Sequence, residues 1–363
     1  LASVTDVNVL AFSNGVYQLA AIYLIDKPVV VRGISGDFND VVLHCTGGNR
    51  AAVKITNGGA VLTALTVQNG CSWDHWVPPQ AGNVWMPSGG TLANCRITKN
   101  RQSSVNRCGA VFSSNGKIYR CVFDGNYSTG NFRGMALWQE GADAVADGCM
   151  FTNNRAGTAS TAYGVVNIKN GVLRNSLIAF NDIGTASASG QTSGVLVEGG
   201  VMENCIVYGN TFTGSATANL VAGVRLSAGI VRNTIIGRHA NAVGEAALDW
   251  TGTPAANFVN CATTTLVAGM TACQEFVYGW TAYLGADGVY TLTTDSPAID
   301  AGAVASAQAA DPLDLDGAVR VRCTIIDLGP VEYKAAEKLI CPFSVSTAIG
   351  LAPLAVTCTA HPT

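Results

Sequence analysis

Apolar and polar positions alternate over short segments of this chain, in a pattern that returns every 26 to 30 residues. The pattern is clearest in the nine residues LANCRITKN at 92–100. The copies of this pattern align on one column of small, mostly apolar residues, which we call the cysteine column. Its members are Leu65, Cys95, Cys121, Cys149, Ser176, Cys205, Thr234 and Cys261. Short alternating segments at this period predict strands of a β-solenoid rather than helical repeats.

Two further columns are apolar and predict the inward-facing side chains of stacked strands. Three residues before the cysteine column stand Leu62, Leu92, Ile118, Ala146, Leu173, Met202, Val231 and Phe258. Two residues after it stand Val67, Ile97, Phe123, Phe151, Ile178, Val207 and Ile236. A single coil cannot bury such a face, so the coils must stack on one another.

Polar columns predict the corners between strands. Five residues after the cysteine column come asparagines whose amides can bond to their own copies in a ladder. These are Asn100, Asn126, Asn154, Asn181 and Asn210. Five residues before it come Gly90, Gly116, Gly171, Gly200 and Gly229, as expected for sharp corners.

Over roughly the first three quarters of the chain, this set of columns resembles the pectate-lyase-like superfamily. The resemblance implies an all-β fold, a right-handed, single-stranded parallel β-helix with a cap at each end. We assign residues 1–275 to the β-helix and its N-terminal cap. The strand edges of a first coil need such a cap, since they would otherwise be open to other chains.

The C-terminal part carries a different signature, SPAIDAG at 296–302, then DLDGAVR at 314–320 and DLGPVEY at 327–333. It resembles the block that closes many secreted bacterial β-helix surface proteins. The resemblance implies a capping region over residues 276–335, braced by Asp300, Asp316 and Arg320. Residues 336–363 resemble a linker and the first strands of a PKD-like immunoglobulin-like module, so we expect the native chain to continue.

Composition and net charge limit the classes of partner that this chain is expected to bind. Charged residues are 12% of the chain, against a typical value of about 25%, and the net charge is −3. Neither nucleic acid nor an anionic membrane is a favoured partner, and no apolar run is long enough for a membrane span. The resemblance implies an extracellular or cell-surface location. Seven of the twelve cysteines lie outside the inward column and could pair there: Cys45, Cys71, Cys108, Cys273, Cys323, Cys341 and Cys358.

Enzymes on such a fold place acidic groups, or calcium with a base, on the outer surface of successive coils. One outward column holds Asp147, Arg174, Glu203 and Arg232 on consecutive coils. Its alternating signs predict an inter-coil ladder of ion pairs rather than a site. No column stacks two acidic residues, which argues against a catalytic site on the outer surface. Whether the chain is an enzyme stays open, and the sequence favours a protein without catalytic activity.

Asp74 and His75, in a long insertion, are the remaining acid/base candidates, although a histidine there also suits ligand contact or packing. Asp311, Asp314 and Asp316 faintly resemble a calcium loop. We expect no cofactor, with calcium as the alternative.

Aromatic residues in the early coils suggest a binding surface instead. Strand alternation points Trp85, Asn167 and Arg225 away from the core, and Trp138 occupies a similar position. Trp76 lies in the long insertion. Exposed flat rings stack well on sugars, so we predict that these five residues bind a ligand, although insertion tryptophans equally suit packing.

The favoured function is therefore an extracellular surface or matrix protein that uses the β-helix as a rigid scaffold to bind a glycan or a partner protein in adhesion. One alternative is a polysaccharide lyase or glycoside hydrolase. The other is a structural subunit that self-assembles in an extracellular filament. The fold alone cannot choose among them, because function resides in sites carried by the fold.

Overall fold

The computed structural model describes a helix of parallel β-strands. Its described residues are 9–46, 50–71, 82–102, 108–129, 132–159, 164–186, 194–212, 221–241, 248–252, 255–276, 281–284, 289–303, 313–320, 326–333, 343–345 and 358–360. Nine successive coils in these ranges place one strand in each of three sheets, which follow one another along the chain.

The strands are short, and most contain three residues. The first sheet contains Val9–Phe12, Val30–Gly33, Val61–Thr63, Thr91–Ala93, Lys117–Tyr119, Val145–Asp147, Val172–Arg174, Val201–Glu203, Ile230–Arg232 and Phe258–Val259. The second contains Gly15–Leu19, Val41–Cys45, Thr66–Gln68, Arg96–Thr98, Val122–Asp124, Met150–Thr152, Leu177–Ala179, Ile206–Tyr208, Ile235–Gly237, Ala262–Thr263 and Gln274–Glu275. The third contains Tyr23–Ile25, Val53–Ile55, Val84–Met86, Val111–Ser113, Leu137–Gln139, Val166–Ile168, Val195–Val197, Val221–Leu226 and Leu248–Gly252.

Several shorter strands lie outside the three main sheets. Short parallel strands at its edge are Arg101–Gln102 with Tyr127–Ser128 and Arg155–Ala156, Thr158–Ala159 with Thr185–Ala186, and Thr211–Phe212 with Ala240–Asn241. Two antiparallel pairs follow, Thr281–Leu284 with Val289–Leu292 and Phe343–Val345 with Cys358–Ala360. The helical content of the described ranges is one 3-10 turn at Ala255–Asn257, and these ranges contain no helix able to cross a membrane.

The register of the strands confirms the predicted columns and the all-β, parallel β-helix. Leu92 pairs with Leu62 and Ile118, and Ile97 pairs with Val67 and Phe123. The cysteine column lies at the turn between the first and second sheets, and all eight of its predicted members are fully buried. Burial of these three columns forms the solenoid core.

The predicted asparagine ladder is also confirmed. The backbone N–H and the Nδ2 of Asn126 both donate to Oδ1 of Asn154, at 3.1 and 2.9 Å, and Asn154 repeats both bonds to Asn181. Each Nδ2 donates in addition to a backbone carbonyl, as Asn154 does to Phe123. The amides therefore satisfy otherwise buried backbone groups at every rung.

His239 ends this ladder in place of an asparagine. Its Nδ1 accepts the backbone N–H of Asn210 at 3.1 Å, which requires a neutral ring. Burial lowers the pKa of His239 to about 3. Asp249, whose Oδ1 lies 3.9 Å from Nε2 of His239, has a pKa raised by burial to about 6.

A second asparagine ladder, not predicted from the sequence, lies one residue before the cysteine column. Asn204 donates to Asn175, Asn233 to Asn204 and Asn260 to Asn233, over 3.3, 3.0 and 2.9 Å. Their φ angles lie between +48° and +52°, a region that asparagine tolerates better than most residues. The sequence signal was present as an asparagine directly before the column in most coils.

The C-terminal region packs along the side of the solenoid, on the outer face of the second sheet. Tyr290, Ala298 and Leu328 join Leu177 and Ile206 in one buried cluster. Its apolar side chains pack across several rungs of the second sheet, and its capping of the end of the helix stays a prediction. The boundaries 276–335 and 336–363 stay a prediction.

Buried hydrogen bonds hold the C-terminal signature together. Arg320, fully buried, donates to the carbonyl of Asp327 and lies 3.2 Å from Oε1 of Glu332. Asp327 in turn accepts the backbone N–H of Asp300. Arg320 thus lies at the centre of the brace, whereas Asp300 and Asp316 are exposed.

We predict that His239→Asn makes the protein more resistant to acid. Unfolded His239 binds a proton below about pH 6.5, whereas the folded ring does so only near pH 3. Stability is therefore lost as pH falls through this window, by about 1.4 kcal/mol per pH unit. An asparagine here can accept the same N–H bond without titrating.

Urea denaturation at pH 7 and pH 5 checks this expectation. The stability of the variant relative to the natural protein should improve by about 2 kcal/mol between the two pH values. An unchanged difference would mean that His239 is protonated in the folded state.

Candidate ligand-binding face

One straight column of side chains runs along the outer face of the third sheet. Because most strands of this sheet contain three residues with both ends turned inward, only the central residue points outward. The register aligns Leu24, Lys54, Trp85, Phe112, Trp138, Asn167, Leu196, Arg225 and Thr251. We call this set the third-sheet column. It brings together four of the five predicted ligand-binding residues.

The predicted orientation of these residues is confirmed, but the predicted exposure is wrong. Trp85 and Trp138 are only 8% and 5% exposed, and Asn167 is fully buried. Trp85, Phe112 and Trp138 follow on consecutive rungs and form, with Cys108, an apolar cluster separate from the solenoid core. Phe112 meets Trp138 edge to face, with ring centroids 5.3 Å apart. Rings one rung apart therefore shield one another from solvent.

Cations accompany these aromatic rings. Nζ of Lys54 lies 4.1 Å from the Trp85 ring centroid, and the guanidinium carbon of Arg133 lies 5.7 Å from that of Trp138. Arg225 is half-buried two rungs beyond Asn167, and burial lowers the pKa of its guanidinium. The third-sheet column contains no carboxylate, and Glu198 lies beside it, 4.0 Å from Arg133. The column itself therefore carries two cations, Lys54 and Arg225, and no acidic side chain.

Unused hydrogen-bonding groups lie next to the rings. Among the described residues, neither Oδ1 nor Nδ2 of Asn167 has a hydrogen-bond partner, and the same holds for Nε1 of Trp138. The two residues are register partners on adjacent rungs. Buried polar groups in proteins are nearly always bonded, so the unused hydrogen-bonding capacity of this pair calls for an explanation.

The other predicted columns have structural roles. Arg174 binds Asp147 and Arg232 binds Glu203, each at 2.6 Å, which confirms the ladder of ion pairs. Asp147 also accepts a bond from Asn175. These carboxylates are held by their neighbours and are not available for acid/base chemistry.

The acid/base and metal candidates find little support in the described part of the chain. Asp74, His75, Trp76 and Asp311 lie outside the described residues. Both carboxylate oxygens of Asp314 accept backbone N–H groups, from Ala318 and Glu332. Asp316 is exposed, and within the described ranges no three His, Cys, Asp or Glu residues gather in a group that could hold a metal ion.

Phe112, Arg133 and Cys108 were not assigned to this face from the sequence. Phe112 follows Trp85 by 27 residues and precedes Trp138 by 26, so the repeat period alone places it in the third-sheet column. Arg133 and Cys108 precede their strands in segments without periodicity, and no sequence signal would have found them.

Comparison with known proteins supports the fold. No family model and no curated protein matches the chain. A crystal structure of pectate lyase Pel9A superimposes with a TM-score of 0.54 at 12% identity, covering 92% of this chain and 90% of that one. The A-module of mannuronan C-5 epimerase AlgE6 from Azotobacter vinelandii matches with a TM-score of 0.23 at 16% identity, over 75% and 91% of the two chains. The chain has a pectate-lyase-like β-helix fold.

We predict that the same substitution, asparagine to leucine, has opposite effects on the free energy of unfolding at two positions. Asn154→Leu should cost about 2 to 4 kcal/mol, because it leaves the donors of Asn126 buried and unpaired. Asn167→Leu should be neutral or stabilising by about 1 kcal/mol, because Leu196 already fills the next position of the same column with an apolar side chain.

Denaturant titration of both variants measures these differences. Equal destabilisation by the two substitutions would show that the Asn167 amide is bonded within the folded chain and is not available to a ligand.

Proposed function

We propose that this protein is an extracellular scaffold that binds an acidic polysaccharide along the third-sheet column. The observation that carries the proposal is the unused hydrogen-bonding capacity of Asn167 and Trp138 beside three stacked aromatic rungs. Sugars offer hydroxyl groups that both donate and accept, together with an apolar face that packs on aromatic rings.

The charge of this face favours an acidic sugar chain. Lys54, Arg133 and Arg225 flank the aromatic and polar positions, and a guanidinium can bind a carboxylate through two parallel hydrogen bonds. Six rungs separate Lys54 from Arg225, or about 29 Å at one strand spacing per rung. This length suits an extended polymer better than a single sugar. The likeness in fold to a pectate lyase supports the same ligand class.

Burial of the rings adds a step to binding. Lys54 and Arg225 are accessible and can make the first contacts, whereas Trp85 and Trp138 become available only after neighbouring side chains shift. The cost of this shift lowers the apparent affinity, because only the open state binds. We therefore expect modest affinity that rises when many rungs are engaged at once.

A polysaccharide lyase is the second candidate, because the likeness to Pel9A extends over most of both chains. Asp74 and His75 are the acid/base candidates that the sequence offers for it. A glycoside hydrolase has less support, since it needs two carboxylates about 5 to 9.5 Å apart and the third-sheet column contains none.

Several finer expectations belong to the same proposal. Secretion, a role in adhesion, a bacterial surface-protein block over residues 276–335, and a linker with the start of a PKD-like module over residues 336–363 all rest on the sequence resemblance. Self-association into an assembly remains the structural alternative.

We predict that Arg225→Gln and Trp138→Ala each weaken binding to polygalacturonate at least about tenfold. Such a loss corresponds to one charge-assisted contact or one aromatic anchor. Affinity electrophoresis with polygalacturonate in the gel measures the effect, with dextran as the neutral polymer. Circular dichroism verifies that both variants are folded.

Arg96→Gln is the matched control, because it removes the same charge from the second sheet, where Arg96 pairs with Asp124 at 2.7 Å. It should change binding less than about twofold. If Arg96→Gln and Arg225→Gln lost equal amounts of affinity, the binding would be nonspecific charge attraction. If the protein released unsaturated products and His75→Ala abolished this activity, the lyase hypothesis would replace the scaffold hypothesis. Filaments that form in a concentration-dependent way would favour the structural-subunit hypothesis.

A further inference from the structure

The cysteine column continues for one rung beyond its predicted end. Thr271 pairs with Val259, and Gln274 pairs with Ala262, so Cys273 stands directly beside Cys261 on the next rung. Ala272 has a φ of +50°, matching +52° at Asn260, which precedes Cys261. The sequence placed Cys273 among loop cysteines, because this last coil is only 12 residues long instead of 26 to 30.

The geometry of the two residues suits a disulfide bond. The backbone N–H of Cys261 donates to Sγ of Cys273 at 3.3 Å, and the Sγ atoms of both residues approach carbonyls of the first sheet. Residues on adjacent rungs lie about 4.8 Å apart, within the range of about 4.4 to 6.8 Å found between Cα atoms of bonded cysteines. The spacing of the two residues along the solenoid therefore permits the bond.

The two thiols differ in access and acidity. Cys261 is fully buried, whereas Cys273 is partly exposed. A hydrogen bond from the Cys261 thiol lowers the pKa of Cys273 to about 7, while burial raises the pKa of Cys261 well above its ordinary value. The accessible thiol of the pair is therefore the one that ionises near neutral pH, as an attacking thiol requires.

We propose that Cys273 and Cys261 form a redox-active pair that is oxidised to a disulfide by exchange with an external low-molecular-weight disulfide. The Cys273 thiolate attacks one sulfur of the external disulfide, which releases one thiolate and leaves a mixed disulfide on Cys273. Cys261 then gives its proton to the released thiolate and attacks Sγ of Cys273, which releases the second thiolate. The two protein thiols are oxidised and the external disulfide is reduced to two thiols.

The bond would fasten the last rung to the solenoid. The strand Gln274–Glu275 ends the second sheet, and its one parallel partner in the described chain is Ala262–Thr263. A link between residues 261 and 273 closes a short loop around this rung. It would oppose fraying at the end from which the C-terminal region departs.

Oxidised glutathione is the probe for the test. The reduced, full-length protein is incubated with it under native conditions, and peptide masses then identify linked residues. We expect a Cys261–Cys273 link that lowers the mass by two hydrogens. Cys261→Ser should retain glutathione on Cys273, because the resolving thiol is missing, and Cys273→Ser should leave Cys261 unmodified.

Cys95 and Cys121 provide an internal control, because their thiols also contact one another on adjacent rungs but both are fully buried. They should stay reduced in the same sample, and alkylation of Cys273 should be at least tenfold faster than that of Cys121. The proposal is overturned if Cys273 in the Cys261→Ser variant takes up no glutathione, or if Cys121 is modified as fast as Cys273.

Discussion

Each side chain of this fold lies about one strand spacing from its counterpart in the next coil, and the rest of the structure depends on that constraint. A residue type is tolerated at a position only if it can stack on what the neighbouring coils place there. Asparagine satisfies this requirement with two donors and one shared acceptor per rung, as the bonds from Asn126 to Asn154 show. Charged residues satisfy it by alternating in sign, as Asp147 and Arg174 do.

The same constraint indicates which surface is left for a ligand. The second sheet is covered over several rungs by the C-terminal region, whose Leu328 lies in one buried cluster with Ile206 and Ile235. Four charges of the first sheet form two pairs that neutralise one another, Asp147 with Arg174 and Glu203 with Arg232. Only the third sheet combines aromatic rings, cations and an amide, that of Asn167, with no partner among the described residues. The stacking of coils does not require this combination of side chains. Among the described surfaces, the contribution of the third-sheet column to folding stability is the hardest to account for.

Periodicity explains what the sequence could predict and what it could not. The inward columns, the ladder from Asn100 to Asn210 and the ion pairs repeat with the coil, so their neighbours in space follow from alignment alone. The exposure of Trp85 and Trp138 was mispredicted because the ring between them, Phe112, was not included in the column, and flanking Cys108 and Arg133 have no period. The lateral position of the C-terminal region depends on packing between segments distant in sequence. It is nevertheless visible in hindsight from the apolar outward residues Leu177, Ile206 and Ile235.

The ends of the columns differ from their interiors for a physical reason. An interior member of the asparagine ladder or of the cysteine column has a counterpart on both sides, and the interior members of these two columns are fully buried. A terminal member has a counterpart on one side only, and different residue types appear there: His239 at the end of the asparagine ladder and Cys273 at the end of the cysteine column. His239 is held neutral beside Asp249, and Cys273 ionises beside Cys261. In these two columns, the residue whose protonation can change one rung alone therefore stands where the repeat stops.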